Sequence, residues 1–231
     1  MLVRNWMNTR VTTIEAKDSM EKAIKVMKQN DVHMLPVVRE GRLVGVLTDR
    51  DLKRASASEA TTLEVHELFY LLSRIKVADI MSAPAITVPP DFTVEETAAL
   101  LLRHRISGVP VVTADGRIVG TITQGEINQL IVSLTGLGER GIQFALLLED
   151  RPGSIRAVAD VIRNHGGRLL SILTSYDRVP AGHRKVYLRA YDVARNSLAA
   201  LLGELNAKGR LLYMVDHREN RREIYDDGTA A

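Results

Sequence analysis

Two short segments hold the residues best suited to chemistry. Gly45-Val-Leu-Thr48-Asp-Arg-Asp51 sets a hydroxyl and a carboxylate about one helical turn apart, where a strand should give way to a helix. Helix N-termini favour anions, and a carboxylate placed there can accept both hydroxyls of a ribose. Arg50, Lys53 and Arg54 follow closely enough to meet phosphates. The same residues have a plainer use, because Thr48 or Asp49 can simply cap the helix, and local sequence favours the cap. Thr123-Gln-Gly-Glu126 repeats the arrangement with a carboxylate longer by one methylene.

Several other chemistries are excluded. The chain has no cysteine, which removes disulfides, thiolate metal sites and cysteine nucleophiles together. Its six histidines are scattered, so no metal site is expected. Gly136-Leu-Gly-Glu-Arg-Gly141 matches GxGxxG formally. A helical pattern precedes it and a strand pattern follows, the reverse of what a dinucleotide site requires, so the segment reads as a hinge. With no GxSxG or P-loop segment either, the expectation is a non-enzyme without a catalytic cofactor.

The elements that position the two segments form an internal repeat. Val3-Arg-Asn-Trp-Met7 recurs as Val77-Ala-Asp-Ile-Met81, and Pro36-Val-Val38 as Pro110-Val-Val112. Gly41-Arg-Leu-Val-Gly45 recurs as Gly116-Arg-Ile-Val-Gly120. Each copy reads β-α-β-β-α: a short β run (12–14; 86–88), a helix, a hairpin turning at Glu40-Gly41 or Asp115-Gly116, and a final helix. The second copy's first helix opens with a capping box, Thr93-Val-Glu-Glu96, and should bury Val94, Ala98, Leu101 and Leu102. In the first copy Met20, Ala23, Ile24 and Met27 should do the same. Between the copies, Val65, Leu68, Phe69 and Leu72 recur at amphipathic helical spacing.

These copies resemble a tandem pair of CBS domains, a regulatory module that typically binds adenosyl ligands in the cleft between its halves. The resemblance rests on the starts ending in Met7 and Met81, the Leu-Pro-Val-Val and Val-Pro-Val-Val strands, and the Gly-x-x-Thr-x-x-Asp/Glu endings. It implies a first nucleotide site in which Thr48 and Asp51 hold a ribose. Thr12 and Pro36 would lie near the base, with His33, Met34, Arg50 and Arg54 close to the ligand. A second site would use Ile86, Ser107, Gly108, Pro110, Thr123 and Glu126. Because Ser107 and Gly108 carry no cation where His33 stands in the first copy, one occupied site or two unequal ones are expected. His104, between Arg103 and Arg105, reads as a basic helix end, with phosphate contact from that turn as the alternative.

The remainder runs β-α-β-β-α-β, a ferredoxin-like order. Asp150-Arg-Pro-Gly153, the following helix and Gly166-Gly167 resemble an ACT domain, a small-molecule regulatory module that often binds amino acids. That resemblance implies a ligand site at Asp150, Gly153, Ser154 and Ile155. Arg168 stands where the family often has Asn, which favours dimerisation or docking over ligand binding.

The expected organisation is therefore α+β: module 1 over 1–60, a helical linker over 61–76 and module 2 over 77–135. A Gly-rich hinge over 136–141 leads to the ACT-like module over 142–216 and a polar, partly disordered tail over 217–231. The whole resembles bacterial acetoin-utilisation AcuB-like regulatory proteins. The function this implies is non-catalytic ligand sensing, with AMP, ADP, ATP or S-adenosylmethionine as candidate ligands. A homodimer and a regulated partner enzyme are expected too, and the alternative is a ligand-free interaction scaffold.

Thirty-one Lys and Arg against 28 Asp and Glu leave a net charge of +3 with both signs interleaved, so no nucleic-acid footprint is visible. No apolar run approaches the roughly 18–20 residues of a membrane span, and Met1–Trp6 lacks an apolar signal core, so a cytoplasmic protein is expected.

Overall fold

The computed structural model describes residues 1–59, 72–139 and 141–225. The chain divides into two compact units, Met1–Asn128 and Gln129–Ala231.

The first unit contains both copies. In the first, β1 (Ile14–Glu15) pairs in parallel with β2 (Met34–Arg39), which forms a hairpin with β3 (Arg42–Thr48). Glu40 and Gly41 both take positive φ, as a two-residue hairpin turn demands. Helix α1 (Met20–Asn30) buries Met20, Ala23 and Met27 against Leu35, Val37 and Leu47, and α2 (Asp49–Glu59) adds Leu52. Each of these Met, Leu and Val side chains removed from water contributes about 1.5–3 kcal/mol, which fixes the helices on the sheet. Leu72, the last member of the expected linker helix, joins this core. The rest of that helix's apolar set lies outside the described residues.

The second copy begins with a short helix, α3 (Val77–Ile80), and continues with α4 (Val94–His104), β4 (Gly108–Val112), β5 (Ile118–Thr123) and α5 (Gln124–Thr135). Its first β run is reduced to one bridge, Val88 to Val111. The expected Thr93 capping box is formed: Thr93 Oγ1 accepts from the Glu96 amide at 3.1 Å, and Glu96 Oε2 accepts from the Thr93 amide at 2.8 Å. The buried stripe of α4 differs from the expected one. It is Val94, Thr97 and Leu101, while Leu102 is 75% exposed. Thr97 can take the central position because its hydroxyl donates to the Thr93 carbonyl at 3.1 Å, so no polar atom is left wanting.

The two copies exchange their leading segments. The Val3 amide donates to Phe92 O, and Asn8 bridges Thr121. Reciprocally, the Val77 and Ala78 amides donate to Asp18 O and Ala16 O, and Ser82 bridges Val46. The repeated Met and Gly are the seams of this exchange. A Cβ on Gly120 would meet Met7 Sδ at 2.5 Å, and one on Gly45 would meet Met81 Sδ at 2.7 Å. Both glycines are there for space rather than for turn conformation.

The second unit is a five-stranded antiparallel sheet in the order β10-β9-β6-β8-β7. It comprises β6 (Ile142–Glu149), α6 (Ser154–Asn164), β7 (Arg168–Ser175), β8 (His183–Tyr191), α7 (Leu198–Lys208), β9 (Arg210–Asp216) and β10 (Arg221–Ile224). Without β10 this is the ferredoxin-like order expected. Phe144, Leu146 and Leu148 alternate along β6 and pack with Val158 and Ile162 of α6 and Leu201 and Leu205 of α7. A bulge opposite Ala145/Leu146 lets Leu211 and Met214 of β9 face this same core.

Two expectations change in this unit. The tail is not simply solvated, because Arg221–Ile224 pair with Tyr213–Asp216 as an added edge strand. The Gly136–Gly141 segment is not where the compact units divide; that boundary falls at Asn128/Gln129, within α5. The start of the glycine segment is tied to the sheet of its own unit. Thr135 O accepts from Arg189 Nε at 2.6 Å and from Ser171 Oγ at 3.1 Å.

Candidate functional site

At both strand-to-helix junctions a threonine bonds the carboxylate three residues on; at the first the box is reciprocal, and at the second Thr123 Oγ1 accepts instead from the Gly125 amide at 3.1 Å. Thr48 donates to Asp51 Oδ2 from its amide at 3.0 Å and from its hydroxyl at 2.6 Å, and its Oγ1 accepts from the Asp51 amide at 3.3 Å. Arg54 Nη2 donates to Asp51 Oδ1 at 3.0 Å. The plain capping role is thus real, and it does not exhaust the carboxylate. An ionised carboxylate offers roughly four acceptor positions, and these contacts use three. The Asp51 side chain is only 7% exposed while that of Arg54 is 73% exposed, so Arg54 can swing into solvent and release its position. Asp51 is therefore a pre-oriented, buried acceptor with one position open and another held only by an exposed arginine. At the second junction Glu126 Oε2 accepts from the Thr123 amide at 2.7 Å and from the Thr123 hydroxyl. Oε1 has no hydrogen-bond partner among the described residues, so a whole oxygen is available.

Each junction opens into a cleft, and the exchange of leading segments decides what faces it. The first cleft, about 520 Å³, is lined by Thr48, Asp49, Arg50, Asp51, Lys53 and Arg54 from the first copy. Facing them from the second copy are Ser82, Pro84–Ile86 and Arg105–Gly108, with Val46, Pro84, Ala85, Ile86 and Ile106 as its apolar lining. The second cleft, about 480 Å³, joins Ser107, Thr121 and Thr123–Glu126 of the second copy to Asn8, Asp31–Met34 and Asp49 of the first.

The residues grouped by sequence are consequently redistributed. Thr48, Arg50, Asp51 and Arg54 share the first cleft with Ile86, Ser107 and Gly108, which had been grouped with the second site. His33 and Met34 share the second cleft with Thr123 and Glu126. Thr12, Pro36 and Pro110 line neither; Pro36 and Pro110 are buried in their strands. Arg105, Ser82, Asn8 and Asp31 were missed. Asp31 and Arg105 are the left-handed C-caps of α1 and α4, with φ of 50° and 55°, and this turn aims each at a cleft. A non-glycine residue in the left-handed cap ahead of each Pro-containing strand was the available signal. Of the basic run, Arg105 reaches the first cleft and His104 does not.

In the second unit Asp150 is ion-paired to Arg184 at 2.6 Å, and Gly153 takes φ 85° to open α6. Ser154 Oγ is buried there with no hydrogen-bond partner among the described residues, and Ile155 packs on the core. Arg168 lies 5.1 Å from the Tyr191 ring centroid, stacked as a cation on its face.

The sequence profile of the CBS domain matches residues 3–58 and 77–133. A CBS domain-containing protein of Dictyostelium discoideum is 30% identical over 135 residues, covering 58% of this chain and 93% of the relative. The chain belongs to the CBS domain family. The CBS domain-containing protein YhcV of Bacillus subtilis is 28% identical over 130 residues, 55% of this chain and 85% of that protein. The crystal structure of the CBS domain NE2398 superposes with a TM-score of 0.50 at 25% identity, covering 58% of this chain and 98% of the other. The CBS matches take up most of the first unit, the second running on along α5 to residue 133, and the exchanged halves of that unit are the tandem CBS pair. No helix among the described residues is long and apolar enough to cross a membrane.

Proposed function

We propose that the protein is a non-catalytic, ligand-sensing regulator whose CBS pair binds an adenine nucleotide or a related adenosyl compound. AMP, ADP, ATP and S-adenosylmethionine are the candidate ligands. The observation that carries this reading is Asp51, a buried carboxylate held by Thr48 at the mouth of a cleft with one apolar wall and several cations. The ribose diol meets Asp51, the base lies against Pro84–Ile86 and Ile106, and phosphates face the basic side chains. Thr123 and Glu126 play the corresponding part in the second cleft. A ligand regulates only if it binds two arrangements of the pair with different affinity, so occupancy alone is insufficient.

Calorimetric titration of the four ligands against wild type and Asp51→Ala tests the assignment. Wild type should bind at least one, and the variant should lose it; equal binding by the two would sink the first site. Saturation at about 100 times Kd should also add roughly 2.7 kcal/mol to stability, visible as a thermal shift.

The ferredoxin-like unit is read as an ACT-like module, which would make the chain AcuB-like in architecture. Ser154 Oγ, without a partner among the described residues at the start of α6, supports a second small-molecule response through Asp150, Gly153, Ser154 and Ile155. A scaffold role is the second reading, favoured by one observation: β7 is a sheet edge exposing Leu170, Ile172 and Leu173. Pairing of this edge between two copies would give the homodimer, onto which a regulated enzyme could dock. A monomer in sedimentation equilibrium at micromolar concentration would exclude it.

A further inference from the structure

The two clefts are built from equivalent positions yet carry opposite charge. Around the first stand Arg50, Lys53, Arg54 and Arg105, against Asp49 and Asp51. Superimposing the repeat places Gly125, Asn128 and Gln129 where Arg50, Lys53 and Arg54 stand, and Asp31 where Arg105 stands. Every cation of the first cleft is thus neutral or reversed in its counterpart. The second cleft has Asp31, Asp49 and Glu126, with His33 as the sole basic side chain among its lining residues.

Position strengthens the contrast. Arg105 and Asp31 occupy the same left-handed cap, so their side chains leave the backbone in equivalent directions. The first-cleft cations are held loosely, Arg50 by a single 3.5 Å bond from Nη1 to Arg105 O. Lys53 and Arg54 are 80% and 73% exposed in their pairs with Asp49 and Asp51, and exposed pairs of this kind exchange cheaply for a better anion. Phosphate oxygens offer such an anion through charge-assisted, often bidentate, hydrogen bonds to Arg. In the second cleft a phosphate would meet carboxylates instead, and like charge within a few ångströms opposes it. An adenosyl group with an uncharged or cationic 5′ substituent meets no such opposition.

We infer that the clefts divide adenosyl ligands by the charge at the 5′ position. The first takes phosphorylated adenosine, and the second takes an unphosphorylated adenosyl compound of the sulfonium or thioether class. The inference rests on the reading of both clefts as adenosyl sites. It makes the protein a comparator of two adenosyl pools rather than a double sensor of one.

Titration of the full chain with AMP, adenosine and S-adenosylmethionine tests it. The proteins required are wild type, Arg50→Gln/Arg105→Gln, Asp51→Asn, Asp51→Ala and Glu126→Ala. Arg50 and Arg105 are exposed, so their replacement leaves the fold intact. The double variant should weaken AMP about tenfold or more while changing adenosine by less than about twofold. Added salt should weaken AMP in wild type and much less in the double variant. S-adenosylmethionine should survive both Asp51 substitutions and be lost in Glu126→Ala. An unchanged ratio of AMP to adenosine affinity in the double variant overturns the charge division alone. So does S-adenosylmethionine that follows Asp51 rather than Glu126. Failure of wild type to bind any of the three ligands, or binding indifferent to Asp51 and Glu126 alike, overturns the adenosyl reading beneath it.

Discussion

The first and second clefts share a threonine bonded to a carboxylate three residues on, a facing left-handed cap and a leading segment borrowed from the other copy, and they differ in the side chains that one frame presents. The frame is expensive to change, since it is made of buried strands, glycines under methionines and helix caps. The lining is cheap, since Arg50, Lys53, Arg54 and Arg105 are exposed and the bonds three of them make, to Arg105 O, Asp49 and Asp51, are long or open to solvent. Duplication has therefore preserved the means of holding a ribose and left free what each cleft asks of the rest of the ligand.

Reversing the lining at one position should have the largest effect. Asp31→Arg places a cation where Arg105 stands in the other copy, in a backbone conformation Arg105 already adopts. AMP should then bind the second cleft roughly ten- to a hundredfold more tightly, and Arg105→Asp should weaken it comparably at the first. Two-site calorimetry reads both; unchanged affinities would show that the caps do not reach the ligand. Next come the seams. A Cβ on Gly45 meets Ser82 O at 2.8 Å as well as Met81, whereas on Gly120 the nearest backbone atom is Asn8 O at 3.1 Å. Gly45→Ala should thus cost about 1–3 kcal/mol in urea denaturation, and Gly120→Ala less, because a methionine yields where a carbonyl does not. If the order is reversed, the seams are not equivalent in the way the repeat implies.

The caps should prove nearly equal. Thr48→Ala and Thr123→Ala each remove one side-chain cap and should each cost about 1 kcal/mol. A large inequality would mean that one junction is held chiefly by something other than its box. The smallest effect lies outside both clefts. Burial, with help from nearby Arg189 and Arg222, holds the His217 imidazole below its ordinary value. Its folded pKa being depressed, the unfolded chain binds the proton more readily. Stability is complete above about pH 6.5 and declines as pH falls through the folded value. Hydrogen exchange of β9 amides should accelerate between pH 7 and 5.5 relative to His217→Gln. Nucleotide affinity at neutral pH should be the same in both proteins.

Much of this was legible beforehand, and the omissions share a cause. The repeat, the hairpin turns and the Thr93 box follow from local spacing, where propensity and capping act within a few residues. Thr48 and Asp51 were legible as a cap and as a ribose-holding pair, and the geometry allows both at once. The assignment of Ser107 and Gly108 to one site and His33 and Met34 to the other was not recoverable locally. It depends on which copy receives residues 3–8 and 77–82, and each segment is equally compatible with either until the tertiary contacts form. Leu102 misled because Thr97, polar by type, satisfies its hydroxyl within the helix and takes the core position. The strand at Arg221–Ile224 was hidden by its charges, which an edge strand tolerates and a central one does not.

The methionines over glycines carry one further consequence. A single copy cut from the chain would expose its own bare glycine and carry a methionine with nowhere to lodge. It could mend both faults only by meeting another copy in the same way. The tandem chain is in this sense a two-fold symmetric dimer whose halves have been joined by a peptide, and its interface is self-complementary. Joining them made it possible for the two halves to diverge. In a dimer of identical chains any charge placed at one cleft appears at both, whereas here Asp31 and Arg105 can disagree.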